Sequence, residues 1–321
     1  MPLADADIHL SNVRRCIESA NQDGLVSNKI GEELGGLSGF STVGALQALT
    51  GLFADDPTVC YLEIGVFQGL TLLSIADLYP NFPCFGVDNF SLLDPESKNL
   101  NLVRERLSNY NADNATLINL DFEDALKSLT DHIGDKKIAV YFVDGAHDYR
   151  SQLVGLTLAL PHLHDNAVIL IDDANYHFVR QSTNDFLDAF SDFKMIFEAY
   201  SPDHPANLDK NTLAKFEAGW LNGINILVRD PNDSLPQMRA PLESGYRLFV
   251  NDWLVHRHGV AELAPEALDL AQAICNGDAE QTEILKDRLL EKYPEYREDI
   301  ESRSADRNTR SQNFTLGRFC E

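Results

Sequence analysis

Apolar and polar positions change rhythm along this chain, and the changes divide it into three parts. Over residues 8–20 and 43–53 the apolar side chains recur at helical spacing. Between them, residues 31–41 carry four glycines, Gly31, Gly35, Gly36 and Gly39, which suit a flexible linker and a segment folding over a site equally well. From residue 58 onward, short continuous apolar runs alternate with helical periodicity. Strands are predicted over residues 59–64, 84–87, 116–119, 138–143, 167–171, 194–199 and 224–228. Helices are predicted over residues 70–78, 97–110, 122–129, 150–160 and 179–190. Residues 201–215 form a polar connection with no clear helix.

This alternation predicts an α/β fold: a doubly wound, seven-stranded, mostly parallel sheet with helices on both faces. The strands lack inside–outside alternation, as expected when both faces are covered. A turn-rich stretch at residues 229–236 reads as a boundary. Beyond it, residues 243–274 have helical periodicity, and residues 280–293 are amphipathic with Ile284, Leu285, Leu289 and Leu290 as apolar positions. Residues 298–310 are so polar that loose order is expected. The predicted organisation is a helical lead-in or lid at 1–57, an α/β domain at 58–230 and a helical C-terminal extension at 231–321.

Charge narrows the partners. The 321 residues carry a formal net charge of −24, which repels phosphate backbones and anionic lipid. Arg14-Arg15 and Lys136-Lys137 are too short to form a basic patch. Neither a nucleic-acid nor a membrane partner is expected. Five cysteines without a C-x-x-C spacing suit buried thiols. The first residues lack the basic-then-apolar pattern of a secretory signal, and no apolar run approaches the ~18 residues that span a bilayer. The expected location is cytoplasmic. The amphipathic stretch 280–293 suits packing on its own domain or on a second copy of the chain equally.

The chemistry concentrates at strand ends. Phe142-Val143-Asp144-Gly145-Ala146-His147-Asp148-Tyr149 and Ile171-Asp172-Asp173-Ala174-Asn175 each take an apolar run into acid. If those runs are neighbouring parallel strands, about 4.8 Å apart, Asp144, Asp172 and Asp173 meet at one sheet edge. Clustered carboxylates repel each other, and a hard divalent cation relieves the repulsion: magnesium first, with manganese or calcium as alternatives. The alternative is helix capping by Asp172 or Asp173, with a partner lysine or arginine. His147, three residues past Asp144, could take a proton as a general base or simply orient the loop. His177 could approach a substrate, whereas His256 and His258, two apart, do not share a helix face and suit the surface. Tyr176, Trp220 and Trp253 could line a pocket, although aromatics more often fill a core.

The first strand ends in Glu63-Ile64-Gly65-Val66-Phe67-Gln68-Gly69. A glycine-bearing loop between strand and helix lets a ligand approach the backbone. The spacing is not the dinucleotide fingerprint G-x-G-x-x-G. Asp88-Asn89 ends the second strand, where a carboxylate suits a ribose diol, and Asp121 follows the third; both acids also suit helix caps.

Glu63-x-Gly65-x-x-x-Gly69, Asp88 and Asp121 together resemble a class I S-adenosylmethionine-dependent methyltransferase. The E-x-G-x-x-x-G form is similar to that of metal-dependent O-methyltransferases of the catechol and caffeoyl-CoA type. Asp144-Gly-x-His147-x-Tyr149 looks more like the macrocin-type branch, which includes sugar O-methyltransferases and cephalosporin-hydroxylase-like proteins. The resemblance covers residues 58–230. It implies a Rossmann-like fold with S-adenosylmethionine as cofactor. Glu63, Gly65 and Gly69 would hold its amino-acid end, Asp88 and Asn89 its ribose, and Asp121 and Phe122 its adenine. It also implies a divalent metal, Mg2+ foremost, on Asp144, Asp172 and Asp173, with Asp144 and His147 as the catalytic pair. The activity expected is metal-assisted O-methylation of a hydroxylated small molecule, such as a sugar or natural-product hydroxyl. Alternatives are a non-catalytic cofactor-, metal- or partner-binding protein on the same fold, and a hydroxylase-like member of the family.

Overall fold

Strands of this chain are apolar from end to end because helices cover both faces of the sheet they build. The computed structural model describes residues 3–27, 34–91, 94, 97–242, 263–306 and 315–320. Residues 1–243 with 310–321 form one compact unit, and residues 244–309 form a second.

The first unit begins with helices α1 (Leu3–Asp23) and α2 (Phe40–Gly51), which pack on each other. Gly44 permits that packing, since a Cβ there would lie 1.9 Å from the Gly24 carbonyl oxygen. There follow β1 (Val59–Ile64), α3 (Leu70–Leu78), β2 (Cys84–Val87), α4 (Lys98–Asn109), β3 (Ala115–Ile118), and the short helices α5 (Phe122–Lys127) and α6 (Leu129–Ile133). Next come β4 (Lys137–Val143), α7 (Tyr149–Ala159), β5 (Leu163–Asp172), α8 (His177–Ala189), β6 (Phe193–Tyr200), α9 (Lys210–Glu217) and β7 (Ile224–Arg229). The seven expected strands and their helices are all present.

Among the described residues the sheet nevertheless has eight strands, in the order β3-β2-β1-β4-β5-β7-β6-β8, where β8 is Thr315–Phe319. Pairings from β3 through β5 are parallel, and those of β7 with β5 and β6, and of β8 with β6, are antiparallel. The eighth strand comes from the stretch expected to be a helical extension. Thr-Leu-Gly-Arg-Phe is too short to announce a strand, and it gains its place by tertiary pairing. Phe319 packs on Phe197 at 5.0 Å between ring centroids, Arg14 lies 4.9 Å over the Phe319 ring, and Arg318 pairs with the buried Glu198. The connection after β6 also holds a helix the sequence pattern did not show. Asp209 caps α9 by accepting from the N–H groups of Asn211 and Thr212.

The order of the strands reverses between β1 and β4. Consecutive strands depart to opposite sides of this line, which opens a crevice at their carboxyl ends. Both strands are buried there, with Ile64 in register with Val143. The residues following these two strands therefore face each other across the switch point.

The second unit contains α10 (Ala264–Asn276) and α11 (Ala279–Asp306), joined at Gly277, whose φ of +70° allows the tight break. Lys292 of α11 pairs with Glu266 of α10. Helix α11 continues through residues 298–306, where loose order was expected; Glu, Arg and Ala there are strong helix formers. Trp253, His256, His258 and the helical periodicity over residues 243–262 lie outside the described residues, as does Gly31. Among the described residues no helix is long and apolar enough to cross a membrane.

Candidate functional site

At the end of β1 the chain turns through Gly65 at φ +90°, Phe67 at φ +48° and Gly69 at φ +83° before entering α3. Two glycines carry conformations that L side chains rarely adopt. Gly65 is also steric: a Cβ there would lie 1.9 Å from the carbonyl oxygen of Asp144. The Gly65 N–H donates to Val87 O at 2.9 Å, and the Asp144 N–H donates to Ile64 O at 2.8 Å. The loop after β1 is thus laced to the ends of both neighbouring strands.

Asp88, at the end of β2, organises that loop. Its Oδ2 accepts from the N–H groups of Val66 and Phe67, each at 2.9 Å, and its Oδ1 accepts from the Phe90 N–H at 2.7 Å. Asn89 accepts from Ser91 N and donates to Asp121 at 3.3 Å. Asp121 in turn caps α5 through the Glu123 N–H. Phe122 lines a small pocket with Ile64, Val143, Gly145 and Gln152. The expected cofactor residues therefore share one edge of the sheet.

Glu63 is fully buried. Its Oε2 accepts from the Tyr61 hydroxyl at 2.6 Å, whereas Oε1 has no hydrogen-bond donor in good geometry among the described residues. Burial pushes its pKa up to about 8, although the Tyr61 and Thr71 hydroxyls favour the ionised form. A buried carboxylate oxygen without a well-aligned donor among the described residues, below a glycine loop, fits a cationic or N–H-bearing ligand group.

Across the switch point, Asp144, His147 and Asp173 each present one donor atom, all within 4.8 Å of one another. His147 Nε2 lies 2.6 Å from Asp173 Oδ2. The His147 ring stacks on Tyr176 at 5.0 Å and an interplanar angle of 17°. Asp173 has φ +55°, so the chain turns sharply where it leaves β5. Its Oδ1 accepts from the Asn222 amide, while the Ala174 and Asn175 N–H groups donate to the carbonyls of Gly223 and Asn222.

Asp172 and Asp173 consequently diverge. Asp172 still belongs to the buried strand and lies outside the three-residue group, although it is close enough to act on Asp144. Burial, then the charges of Asp172 and Asp173, hold the Asp144 carboxyl well above the usual carboxylate range. Burial and Asp173 do the same to Asp172. For Asp173 burial acts upward, but His147 and Asn222 outweigh it and hold the pKa down. For His147 burial acts downward, and the Asp173 carboxylate reverses the shift.

Two contributors carried no sequence signal. Asn222 is a lone amide in a loop, and its role appears only when that loop meets β5. His204 stands edge-on to Tyr176 at 6.3 Å, on a loop that Asn175 fastens through hydrogen bonds with Ser201. His177, by contrast, is buried at the start of α8, and burial with nearby Arg180 brings its pKa down to about 4. Trp220 packs on Phe197 and donates to Asn21, a core role. The glycine-rich segment before α2 passes close to the start of α3 and to the loop that carries Asn222. A Cβ on Gly36 would lie 2.6 Å from the Leu70 side chain, and one on Gly39 would lie 2.2 Å from Gly219 O.

Residues 62–174 match a family model described as "Methyltransferase domain". No match was found among curated proteins. Among solved structures the chain is similar to the O-methyltransferase TomG from Streptomyces achromogenes, described as involved in tomaymycin synthesis and solved in complex with SAM. The identity is 16% and the TM-score 0.42, over 69% of this chain and 89% of that one. It is also similar to an O-methyltransferase from Bacillus cereus solved with SAH, at 16% identity and a TM-score of 0.43, over 70% of this chain and 91% of that one.

Proposed function

We propose that this protein is an S-adenosylmethionine-dependent O-methyltransferase acting on a hydroxylated small molecule, with a divalent ion assisting. One observation carries the reading: the glycine loop after β1 and the Asp144–His147–Asp173 group face each other across the strand-order switch, in backbone contact through Gly65 and Asp144. The methyltransferase-domain match spans both halves.

The residues present fit the cofactor. Glu63 Oε1 awaits a donor, and an α-ammonium group supplies one. Gly65 and Gly69 give the loop the left-handed turns that shape it between β1 and α3. Asp88 holds the loop in shape and keeps about one acceptor site for a ribose hydroxyl. Asp121, Asn89 and Phe122 border the adenine end. The residues also fit a divalent ion, since Asp144, Asp173 and His147 are a mixed carboxylate–imidazole donor set with Asp172 adding negative charge nearby. A bound ion would hold the acceptor oxygen and lower its pKa.

Methyl transfer forms an oxygen–carbon bond, breaks the sulfonium carbon–sulfur bond, and leaves the hydroxyl proton and S-adenosylhomocysteine. A basic side chain of the cluster receives that proton. The rigid strand ends on either side of the switch fix the distance between donor and acceptor, so positioning supplies much of the acceleration. The segment at Gly36–Gly39, touching Leu70 and Gly219, suits a cover that excludes water. Strong negative charge favours neutral or cationic acceptors over anionic ones.

The test is methyl transfer from isotopically labelled S-adenosylmethionine to a panel of sugars, polyols and phenols, with and without chelator. Labelled methyl ether that falls sharply with chelator supports the reading. Cofactor binding without product on any acceptor would favour a non-catalytic binding protein.

A further inference from the structure

We propose that His147 is a ligand of the divalent ion, so that Asp144, His147 and Asp173 form a nitrogen–oxygen site suited to a transition ion such as Mn2+ rather than an all-oxygen magnesium site. This rests on the ion-assisted reading above and assigns the ion's class and ligands.

The geometry separates two neighbouring acids that look equivalent in sequence. Asp172 is the last residue of β5 and stays buried in the sheet. Asp173 leaves the strand at φ +55°, and its carboxylate meets His147. Asn222 occupies Oδ1 of Asp173, which leaves Oδ2 as the oxygen facing the imidazole. Asp173 is thus arranged to give one oxygen, not two.

His147 is equally constrained. Tyr176 stacks flat on its ring, and Nε2 points at Asp173. The third donor, on Asp144, comes from the end of β4, whose register with β5 pairs Val143 with Ile171. Ligand–ion distances of about 2.0–2.2 Å place neighbouring ligand atoms roughly 3 Å apart and opposite ones roughly 4.3 Å apart. Donor atoms within 4.8 Å of one another reach one ion's shell with small side-chain adjustments.

Ligand chemistry then selects the ion. Magnesium demands oxygen and retains water, whereas manganese, iron, cobalt and zinc accept imidazole readily. Two carboxylates with one imidazole fit the second group. His147 coordinated through Nε2 is no longer the proton acceptor expected from sequence, and that task falls to a carboxylate.

The experiment uses the full chain loaded with Mn2+ and read by pulsed electron paramagnetic resonance. Modulation from a directly bound imidazole nitrogen is expected. It should vanish in His147→Gln, with Mn2+ binding weakened at least about tenfold. It should persist in Asp172→Asn. Mg2+ should compete only at concentrations at least about tenfold above Mn2+. Tight Mn2+ binding without nitrogen modulation, lost instead in Asp172→Asn, would overturn the assignment while leaving an ion-assisted enzyme. Absence of Mn2+ binding to the wild type would overturn both. Should His147→Gln fail to fold, the wild-type spectrum decides alone.

Discussion

The carbonyl oxygen of Asp144 lies 1.9 Å from the place a Cβ on Gly65 would occupy. One residue ends the cofactor-side strand and the other begins the reaction-side loop, so a single backbone contact joins the two halves of the site. Gly65→Ala should therefore lower stability by about 2–4 kcal/mol, from positive φ and from the forced shift of Asp144. Gly69→Ala keeps the φ penalty but meets only Leu73 Cδ1 at 3.3 Å, and should cost less. Thermal unfolding of both variants checks the order; equal losses would show that the Asp144 contact is unimportant.

Glu63 should make cofactor binding depend on pH. Its pKa is raised by burial to about 8 against an ordinary 4.5, so the folded chain holds a proton that the unfolded chain releases. The sign follows: this group favours folding most below pH 4.5, and its contribution declines as pH rises towards 8. Binding a cationic ammonium favours the ionised form, so affinity for S-adenosylmethionine should rise up to tenfold per pH unit towards about 8 and fall again above it, where the ligand's own α-ammonium loses its proton. Glu63→Gln should flatten that slope. Calorimetric titrations between pH 6 and 9, on the order of one pH unit apart, measure it.

Asp144→Ala and Asp173→Ala should each reduce chelator-sensitive methyl transfer by about 100-fold or more, since each removes a donor and leaves charge uncompensated. Asn222→Ala should weaken transfer less and spare S-adenosylmethionine affinity, because its side-chain amide donates to Asp173 in the reaction half. Separate KM values for cofactor and acceptor distinguish these effects. Unchanged turnover in both aspartate variants would remove the ion from the mechanism.

Deleting residues 310–321 should lower the melting temperature and promote self-association. It strips the edge of β6 of its antiparallel partner and uncovers Phe197 and Glu198. Light scattering and thermal unfolding report both. A deletion variant as stable and monodisperse as the full chain would show that β8 is dispensable.

The first seven strands were legible because double-sided burial writes itself as unbroken apolar runs, as in Ile138–Val143 of β4. The acids at their ends were legible for the same reason: charge breaks the run. What followed depended on tertiary contact. Strand β8 has no such run and is defined by β6. Asp88 carries the spacing of a ribose ligand, yet its oxygens also serve backbone N–H groups more than twenty residues earlier, a partnership invisible in its own segment. Asp172 and Asp173 differ only once the left-handed turn at Asp173 is known. Asn222 and His204 lie in loops without periodicity, and folding alone brings them to the site.

Calorimetric titration of S-adenosylhomocysteine into the full chain decides whether the glycine loop holds the cofactor. One site per chain is expected, with affinity lost in Asp88→Ala and weakened in Glu63→Gln, while Asp173→Ala binds as the wild type does. No binding to the wild type, or binding indifferent to Asp88 and Glu63, would contradict it.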